Sequence, residues 1–525
     1  MSLTTSHVVP ASRSEVWQWH TRPGAVARLS PPFFPFTPIQ QADSLSTGTT
    51  VFALPAGLRW VARHDLSGYV KGFKFTDVCV TAPIKALANW RHVHNFLDAS
   101  SADSGPATTV TDEVFTRLPK ATLAPMFAYR QQQLIEDMRA KARFEAISSR
   151  RLTVAITGSR GLVGRALSAQ LTTLGHEVVP LVRSNPKPGQ RLWDPARPDV
   201  NLLDGIDVLV HLAGEPIFGR FTEAHKKALW DSRVGPTEAL AKLVAVSKSC
   251  HTFVSASTVG IYGHDRGEVA LSEDSELGQG FLADLARNWE SATVPAQVEG
   301  KRVVNLRTGI IISGRGGILP VLRTLFSTGL GGHFDDGQQW FSWVALDDVT
   351  DVIITACLDS SLSGPVNVTA PNPVINKELA RTMGQQLRRP ARFPIPSIGP
   401  KVLLGAQGAA EFALADQRVL PTALLSRGHV FRYEDLSAAL AHELGNEKLF
   451  DAPATVAGDD SVEAAHDVHS SKISLKKVKM LRSSAKDMGS DGEDCVAGEK
   501  GALSDQGDGE QVSQGQSKRW RLPGF

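Results

Sequence analysis

The alternation of apolar and polar positions divides the chain into three stretches. The middle one opens with RRLTVAITGSRGLVGRALSAQLTTLGHEVVPLVRS, residues 150–184. Its apolar run, Leu152–Thr157, breaks at a glycine turn. A helical pattern follows, with Leu162, Ala166, Ala169 and Leu174 available for an inner face. Gly175 ends it, and HEVVPLV reads as a second strand, so the spacing predicts a βαβ unit. The alternation continues through DVLVHLAG (207–214), TFVSAST (252–258) and RVVNLRTGIII (302–312), buried-type strands separated by helical stretches. Strands alternating with helices predict an α/β fold with a doubly wound parallel sheet. Pro180 breaks a local rule, because it removes a ladder hydrogen bond from a strand expected to be internal. A bulge or an early strand end is expected there.

The first 145 residues carry a different period. TTVTDEVFTRL (108–118) alternates as a half-buried strand does, and ALANWRHVHNFL (86–97) predicts another. In ATLAPMFAYRQQQLIEDMRAKARF, Leu123, Phe127, Leu134 and Met138 form one apolar stripe of a long helix. Strands followed by a long helix predict an α+β domain. From Thr455 to Phe525 the chain is rich in Ser, Asp, Gly and Lys without an apolar period, and a disordered tail is expected. Its basic segment SLKKVKMLR (474–482) reads as solvated charge.

Composition narrows the classes. A chain of 525 residues exceeds one core, so two or three domains plus tails are expected. A net charge of +2 gives no electrostatic case for a nucleic-acid partner or an anionic membrane. The cysteines, Cys79, Cys250, Cys357 and Cys495, show no CxxC spacing. That argues against a disulfide scaffold or a zinc cluster and suits a reducing compartment, so a cytoplasmic location is expected. The N-terminal residues lack a secretory pattern, and no apolar run approaches the roughly 18 residues a membrane span needs.

The chemistry concentrates in TGSRGLVG. Gly158, Gly161 and Gly164 stand where a strand turns sharply, where backbone approaches a pyrophosphate and where helix packs on strand. The following helix start offers N–H groups and a positive dipole end to phosphate. At the end of the second strand an NAD site usually carries an acid for the ribose 2′-hydroxyl. This chain has Arg183 and Ser184, a cation and a hydroxyl that suit a 2′-phosphate. NADP(H) is therefore favoured over NAD(H).

With these motifs come RLWDP, HLAGEPI, DSRVGPTEAL, SASTVGIYG, FLADLARNWE, LRTGIIIS, QQWFSWVALDDV, SGPVNVTAPNPV and GHVFRY, in order over residues 152–444. Together they resemble the atypical extended short-chain dehydrogenase/reductases, the NAD-dependent epimerase/dehydratase family often described as nucleoside-diphosphate-sugar epimerase-like. The resemblance implies a Rossmann domain over 150–375 and a small C-terminal substrate-side domain over 376–446. It implies cofactor contacts at Gly158, Ser159, Gly161, Leu162, Gly164, Arg183 and Ser184, at Leu212, Ala213 and Gly214, and at Ser255. Arg307 and Thr308 would lie near the nicotinamide and Asp194 near the adenine.

Residues 1–148 resemble the START-like, polyketide-cyclase/lipid-transport superfamily through VVPASRSEVWQWHTRPGAVARLSPPF, NWRHVHNF, TTVTDEVFTRLP and the long helix. This implies a helix-grip fold, a curved antiparallel sheet around that helix with a cavity for an apolar ligand. His92 and His94 share a strand face, but the sequence shows no third ligand beside them and no metal is expected. His20, Trp17 and Trp19 read as packing residues.

Typical members of the dehydrogenase superfamily join a Ser or Thr to a Tyr and a Lys four residues apart on one helix. The Lys cation lowers the pKa of the Tyr, which moves the proton. Ser257 aligns with the serine. Glu290 of GFLADLARNWE sets the helix register, which puts Leu282 at the tyrosine position and Ala286 at the lysine position. Neither transfers a proton. Tyr262, Glu215 and Asp284 are candidate substitutes, and Ser257 with Tyr262 is the candidate catalytic pair. Arg287 could replace the missing charge but stays protonated. Trp340 and Trp343 either line the substrate side or pack in the core. Two functions follow. One is an NADP(H)-dependent oxidoreductase or epimerase acting on a small molecule, a sugar nucleotide or a carbonyl compound. The other is a non-catalytic NADP(H)-binding sensor or carrier coupled to the START-like domain.

Overall fold

The computed structural model describes residues 2–99, 105–391 and 393–450. The expected tail, 455–525, lies outside the described residues. Seven strands form the first sheet: β1 (Ser2–Val9), β2 (Thr37–Gln40), β3 (Thr49–Ala53), β4 (Arg59–His64), β5 (Lys74–Cys79), β6 (Arg91–Asp98) and β7 (Thr108–Phe115). They pair antiparallel in the order β1-β7-β6-β5-β4-β3-β2. The helices here are α1 (Arg13–Thr21), α2 (Ala25–Arg28), α3 (Ile84–Ala88) and the long α4 (Lys120–Ile147). A capping box starts α1: Ser12 Oγ accepts from Glu15 N, and Glu15 Oε2 accepts from Ser12 N.

Strict alternation in β7 buries Thr108, Val110, Asp112 and Val114 on one face. The α4 stripe packs there. Leu134 and Met138 join Val9, Phe75, Phe96 and Val110, while Leu123 and Phe127 join Leu3 and Val114. Trp17 and Trp19 belong to the same core, and His20 packs edge-on against Phe96. The strand expected over 86–97 starts later, at Arg91. Residues up to Ala88 are helical, and Asn89 closes that turn in the left-handed region, which asparagine tolerates.

The second sheet is parallel: β8 (Thr153–Thr157), β9 (Glu177–Val182), β10 (Arg191–Leu192), β11 (Val208–His211), β12 (Thr252–Thr258), then Arg302–Thr308 and Gly364–Val368. Its order is β10-β9-β8-β11-β12 followed by those two strands, a Rossmann arrangement with its switch point between β8 and β11. Both faces are covered, so the strands are apolar throughout. Val154 and Ile156 enter one core with Val208 and Val210, and Ala155 and Leu209 enter the opposite one. The helix α5 (Leu162–Leu174) buries Leu167, Leu171 and Leu174 rather than Leu162 and Ala166, which are half-buried.

Two sequence expectations are corrected here. Pro180 causes neither bulge nor early end, because β9 pairs continuously with β8 through Ile156 and Pro180. The outer neighbour β10 pairs only Leu181 and Val182, so the other side of β9 is open at Pro180 and the ring interrupts no ladder there. RVVNLRTGIII is two strands. The chain leaves the main sheet at Gly309, and Ile310–Ile312 pairs with Trp343–Ala345 in a separate two-stranded sheet.

The polar side of α4 meets the second sheet's helices, not water. Arg28 from α2 bonds Asp137 of α4 and reaches Asp347 of the helix Leu346–Leu358 at 2.7 Å. Arg432 bonds Asp137 at 2.7 Å and both oxygens of Asp351 at 2.8 Å. All five side chains are almost completely buried. Ala140 and Phe144 of α4 extend the contact by joining the parallel-sheet core. Among the described residues no helix is long and apolar enough to cross a membrane.

Candidate functional site

The chain turns out of β8 at Gly158, whose φ is +69°. A Cβ at Gly158 would lie 2.8 Å from the Leu212 carbonyl, and one at Gly164 would lie 2.3 Å from the Gly158 oxygen. No other residue fits either place. Gly161 N donates to Gly158 O at 2.9 Å, closing the turn directly before α5. A helix start leaves its first N–H groups without intrahelical acceptors, the feature that suits a phosphate. Ser159 and Leu162 are half-buried along this turn and Gly161 is exposed.

Thr157 fastens the neighbouring turn to it. Its Oγ1 accepts from Leu212 N at 3.1 Å and Ala213 N at 3.2 Å, and contacts His211 Nδ1 at 2.7 Å. Burial, with Arg233 nearby, pushes the His211 pKa down to about 3, so a neutral imidazole meets the threonine hydroxyl. Leu212 and Ala213 are half-buried, and Gly214 is exposed. Arg183 and Ser184 follow β9 directly, and both are exposed. Among the described residues Arg183 forms no ion pair. Asp194 accepts from Ala196 N at 2.9 Å in an exposed turn.

Arg233 was not singled out in the sequence. Its Nη2 donates to Glu215 O at 2.7 Å, and its guanidinium lies 5.0 Å from the Trp289 ring centroid. Burial pushes its pKa down to about 10 against the opposing charge of Glu215, and among the described residues it forms no ion pair. The signal was present in DSRVG, but nothing in sequence spacing ties that arginine to HLAGEP.

The expected catalytic groups form a continuous chain of hydrogen bonds. Ser257 Oγ donates to Glu290 Oε1 at 2.7 Å. Arg307 donates to both Glu290 oxygens at 2.9 Å, and its Nη1 donates to the Tyr262 hydroxyl at 3.0 Å. That hydroxyl donates to Asn367 Oδ1 at 2.7 Å. Tyr262 is fully buried, and burial raises its pKa even though Arg307 opposes the shift. Its phenol is held between Arg307 and Asn367 rather than open beside the strand ends. Arg307 is turned to Glu290. Ser255 is fully buried and bonds Ala256 O. Thr308 remains half-buried at the strand end.

The helix Phe281–Ser291 explains the missing Tyr and Lys. Ala286 packs with Val259, Tyr262, Leu271 and Val419, and Leu282 packs with Leu229 and Leu285. Both positions face apolar core. Glu411 receives the Phe281 and Leu282 N–H groups at 3.1 and 2.7 Å, so a carboxylate from the C-terminal region caps this helix. Asp284 pairs with Arg287 on its outer surface. Trp343 is a core residue whose indole donates to Asn372 O at 3.0 Å, while Trp340 is half-buried beneath Arg418.

Residues 154–368 match the NAD dependent epimerase/dehydratase family, and residues 395–443 match a domain of unknown function, DUF1731. An epimerase family protein of Mycobacterium leprae is 38% identical over 301 residues, covering 57% of this chain and 97% of its own. A solved Corynebacterium glutamicum structure, described as a nucleoside-diphosphate sugar epimerase, is 53% identical with a TM-score of 0.76 and covers 93% of this chain and 99% of that one. The human epimerase family protein SDR39U1, solved with NADPH, is 30% identical with a TM-score of 0.52, covering 56% of this chain and 100% of that one. The chain belongs to the NAD-dependent epimerase/dehydratase family.

Proposed function

We propose that this protein binds NADP(H) at the β8–α5 turn and works as an oxidoreductase or epimerase on a small molecule, a sugar nucleotide or a carbonyl compound. The exposed pair Arg183 and Ser184 at the end of β9 carries the choice of nucleotide. A guanidinium binds a phosphate bidentately, and no acid stands there to hold a free 2′-hydroxyl. The human relative solved with NADPH supports the same choice. The pyrophosphate rests on the start of α5, with Gly158, Ser159, Gly161, Leu162 and Gly164 forming the cradle and Leu212–Gly214 the facing wall.

The substrate lies between the C-terminal ends of the parallel strands and the region 376–446. Bound nicotinamide supplies the hydride chemistry. Proton transfer falls to a group the substrate can reach, and Glu215, exposed beside Gly214, meets that requirement. Ser257, Glu290, Arg307 and Tyr262 hold the strand ends and the helix Phe281–Ser291 in register. Residues 1–148 form a START-like helix-grip domain, a reading supported by the antiparallel sheet, by α4 and by a cavity of about 300 Å³ between them.

Nicotinamide absorbance followed with a panel of sugar nucleotides and carbonyls tests this reading. Turnover by the wild type, lost in Glu215→Gln with NADPH affinity retained, is the expected result. Tight NADPH binding without turnover of any compound would argue for a binding protein instead.

A further inference from the structure

The cavity of about 300 Å³ in the N-terminal region is lined mainly by apolar side chains, among them Phe36, Leu45, Phe52, Trp60 and Met126. Asp77, His92 and His94 stand together on its wall. The antiparallel register brings them there. Asp77 on β5 pairs with His92 on β6, and His94 on β6 pairs with Asp112 on β7, so the four polar groups form a cluster across three strands. Along the sequence His92 and His94 lack a third ligand, and the fold supplies it.

We propose that Asp77 Oδ2, His92 Nδ1 and His94 Nε2 bind a zinc-class divalent cation whose fourth position opens into the apolar cavity. The spacing carries the argument. Asp77 Oδ2 lies 3.5 Å from His92 Nδ1 and 3.4 Å from His94 Nε2. Both distances exceed the usual span of a strong hydrogen bond, about 3.2 Å. They match the edge of a tetrahedron with metal bonds of about 2.0–2.1 Å, which is roughly 3.3–3.4 Å. One donor atom from each of the three residues falls within 4.8 Å of the other two.

The surrounding bonds have the form that metal-binding imidazoles need. The remaining nitrogen of each ring meets one carboxylate: His92 Nε2 lies 2.8 Å and His94 Nδ1 3.0 Å from Asp112 Oδ1. That contact fixes tautomer and ring orientation, and aims the other nitrogen at the shared point. Trp90 Nε1 donates to Asp77 Oδ1 at 3.1 Å, which leaves Oδ2 for the cation. Phe75 stacks on His94 with centroids 4.0 Å apart and limits its rotation. Two carboxylates thus face two imidazoles in a largely buried place. A divalent cation balances that charge more completely than Arg130, the one arginine or lysine lining the cavity. Asp112 does not line the cavity, so the open position points away from it, toward an oxygen donor on an apolar ligand or toward water.

Metal-stripped full-length protein would be titrated with Co²⁺ and with Zn²⁺, with the unfolding midpoint and circular dichroism of each variant recorded alongside. The expected result is saturation at one Co²⁺ per chain with the visible band of a tetrahedral site, displaced by Zn²⁺. His92→Ala abolishes the band. Asp112→Asn keeps the fold and weakens binding roughly 10–100-fold. Wild-type protein that shows no saturable binding, or His92→Ala protein that is folded and still gives the band, overturns the assignment.

Discussion

Ser257 and Glu290 share a 2.7 Å hydrogen bond, and that carboxylate is also held at both oxygens by Nε and Nη2 of Arg307. The serine that would orient a substrate oxygen is thereby tied to a buried ion pair. Removing its hydroxyl deletes one bond to a charged group, worth about 1.5–3 kcal/mol. Removing Glu290 leaves Arg307 buried without its counter-ion, which costs about 3–5 kcal/mol. Denaturant unfolding should therefore rank Glu290→Ala well below Ser257→Ala in stability. NADPH affinity of Ser257→Ala should stay close to wild type. A Ser257→Ala variant that loses nucleotide binding while folded would return the serine to the cofactor.

The buried junction around Arg432 makes a second prediction. Arg432 is the shared partner of Asp137 on α4 and Asp351 beyond it. Its replacement by Ala leaves Asp137 to Arg28 alone and Asp351 to Arg143 at 3.4 Å, at a cost of up to about 3–5 kcal/mol. Thermal unfolding should fall accordingly. Arg432→Met should recover part of that loss, because its stem refills the space. A shift within error for Arg432→Ala would mean that water enters this junction.

Acid should destabilise the protein early. Burial lowers the pKa of His176 and His429 from an ordinary 6.5 to about 4, with Arg151 adding to the effect at His176, and lowers that of His211 to about 3. In each case the folded value lies below the unfolded one. The unfolded chain then gains protons first as pH falls, and the stability these neutral rings contribute is complete above about pH 6.5. It is lost progressively between about 6.5 and 4. The unfolding midpoint should decline across that interval, before most carboxylates titrate, and a flat profile from pH 7 to 4.5 would contradict the burial of these rings.

Much of the nucleotide-binding half was legible in the sequence because backbone geometry dictates residue type there. Gly158 and Gly164 cannot carry a Cβ, so the turn is written in the chain itself. The stripe Leu123, Phe127, Leu134 and Met138 likewise announced α4. What stayed hidden depends on contacts between distant segments. The polar flank of α4 looks solvent-facing until the helix Leu346–Leu358 and Arg432 are placed against it. Tyr262 looks like an available phenol until Asn367, 105 residues away, accepts its hydrogen bond. Leu282 and Ala286 could be recognised as non-catalytic, but only the fold shows that the positions they occupy face apolar core. His92 and His94 gained Asp77 through strand register, which no local spacing reveals.

Close approach in the glycine turn makes nucleotide binding sensitive to single methyl groups. Gly164→Ala would press a Cβ against the Gly158 carbonyl, 2.3 Å away in the present backbone. The turn and the start of α5 must separate to admit it. NADPH affinity measured by fluorescence titration should fall at least tenfold while the parallel sheet stays folded by circular dichroism. Unchanged affinity would place the pyrophosphate elsewhere.

The most direct measurement compares NADPH and NADH affinities of the wild type with those of Arg183→Asp, by equilibrium titration of the purified full chain. Arg183 is exposed and without an ion-pair partner among the described residues, so the change leaves the fold intact. The account predicts that the wild type binds NADPH more tightly than NADH. In the variant NADPH binding should weaken at least tenfold, with NADH binding unchanged or improved because the new carboxylate accepts from the ribose 2′-hydroxyl. Equal loss of both nucleotides, or a wild type that prefers NADH, would contradict it.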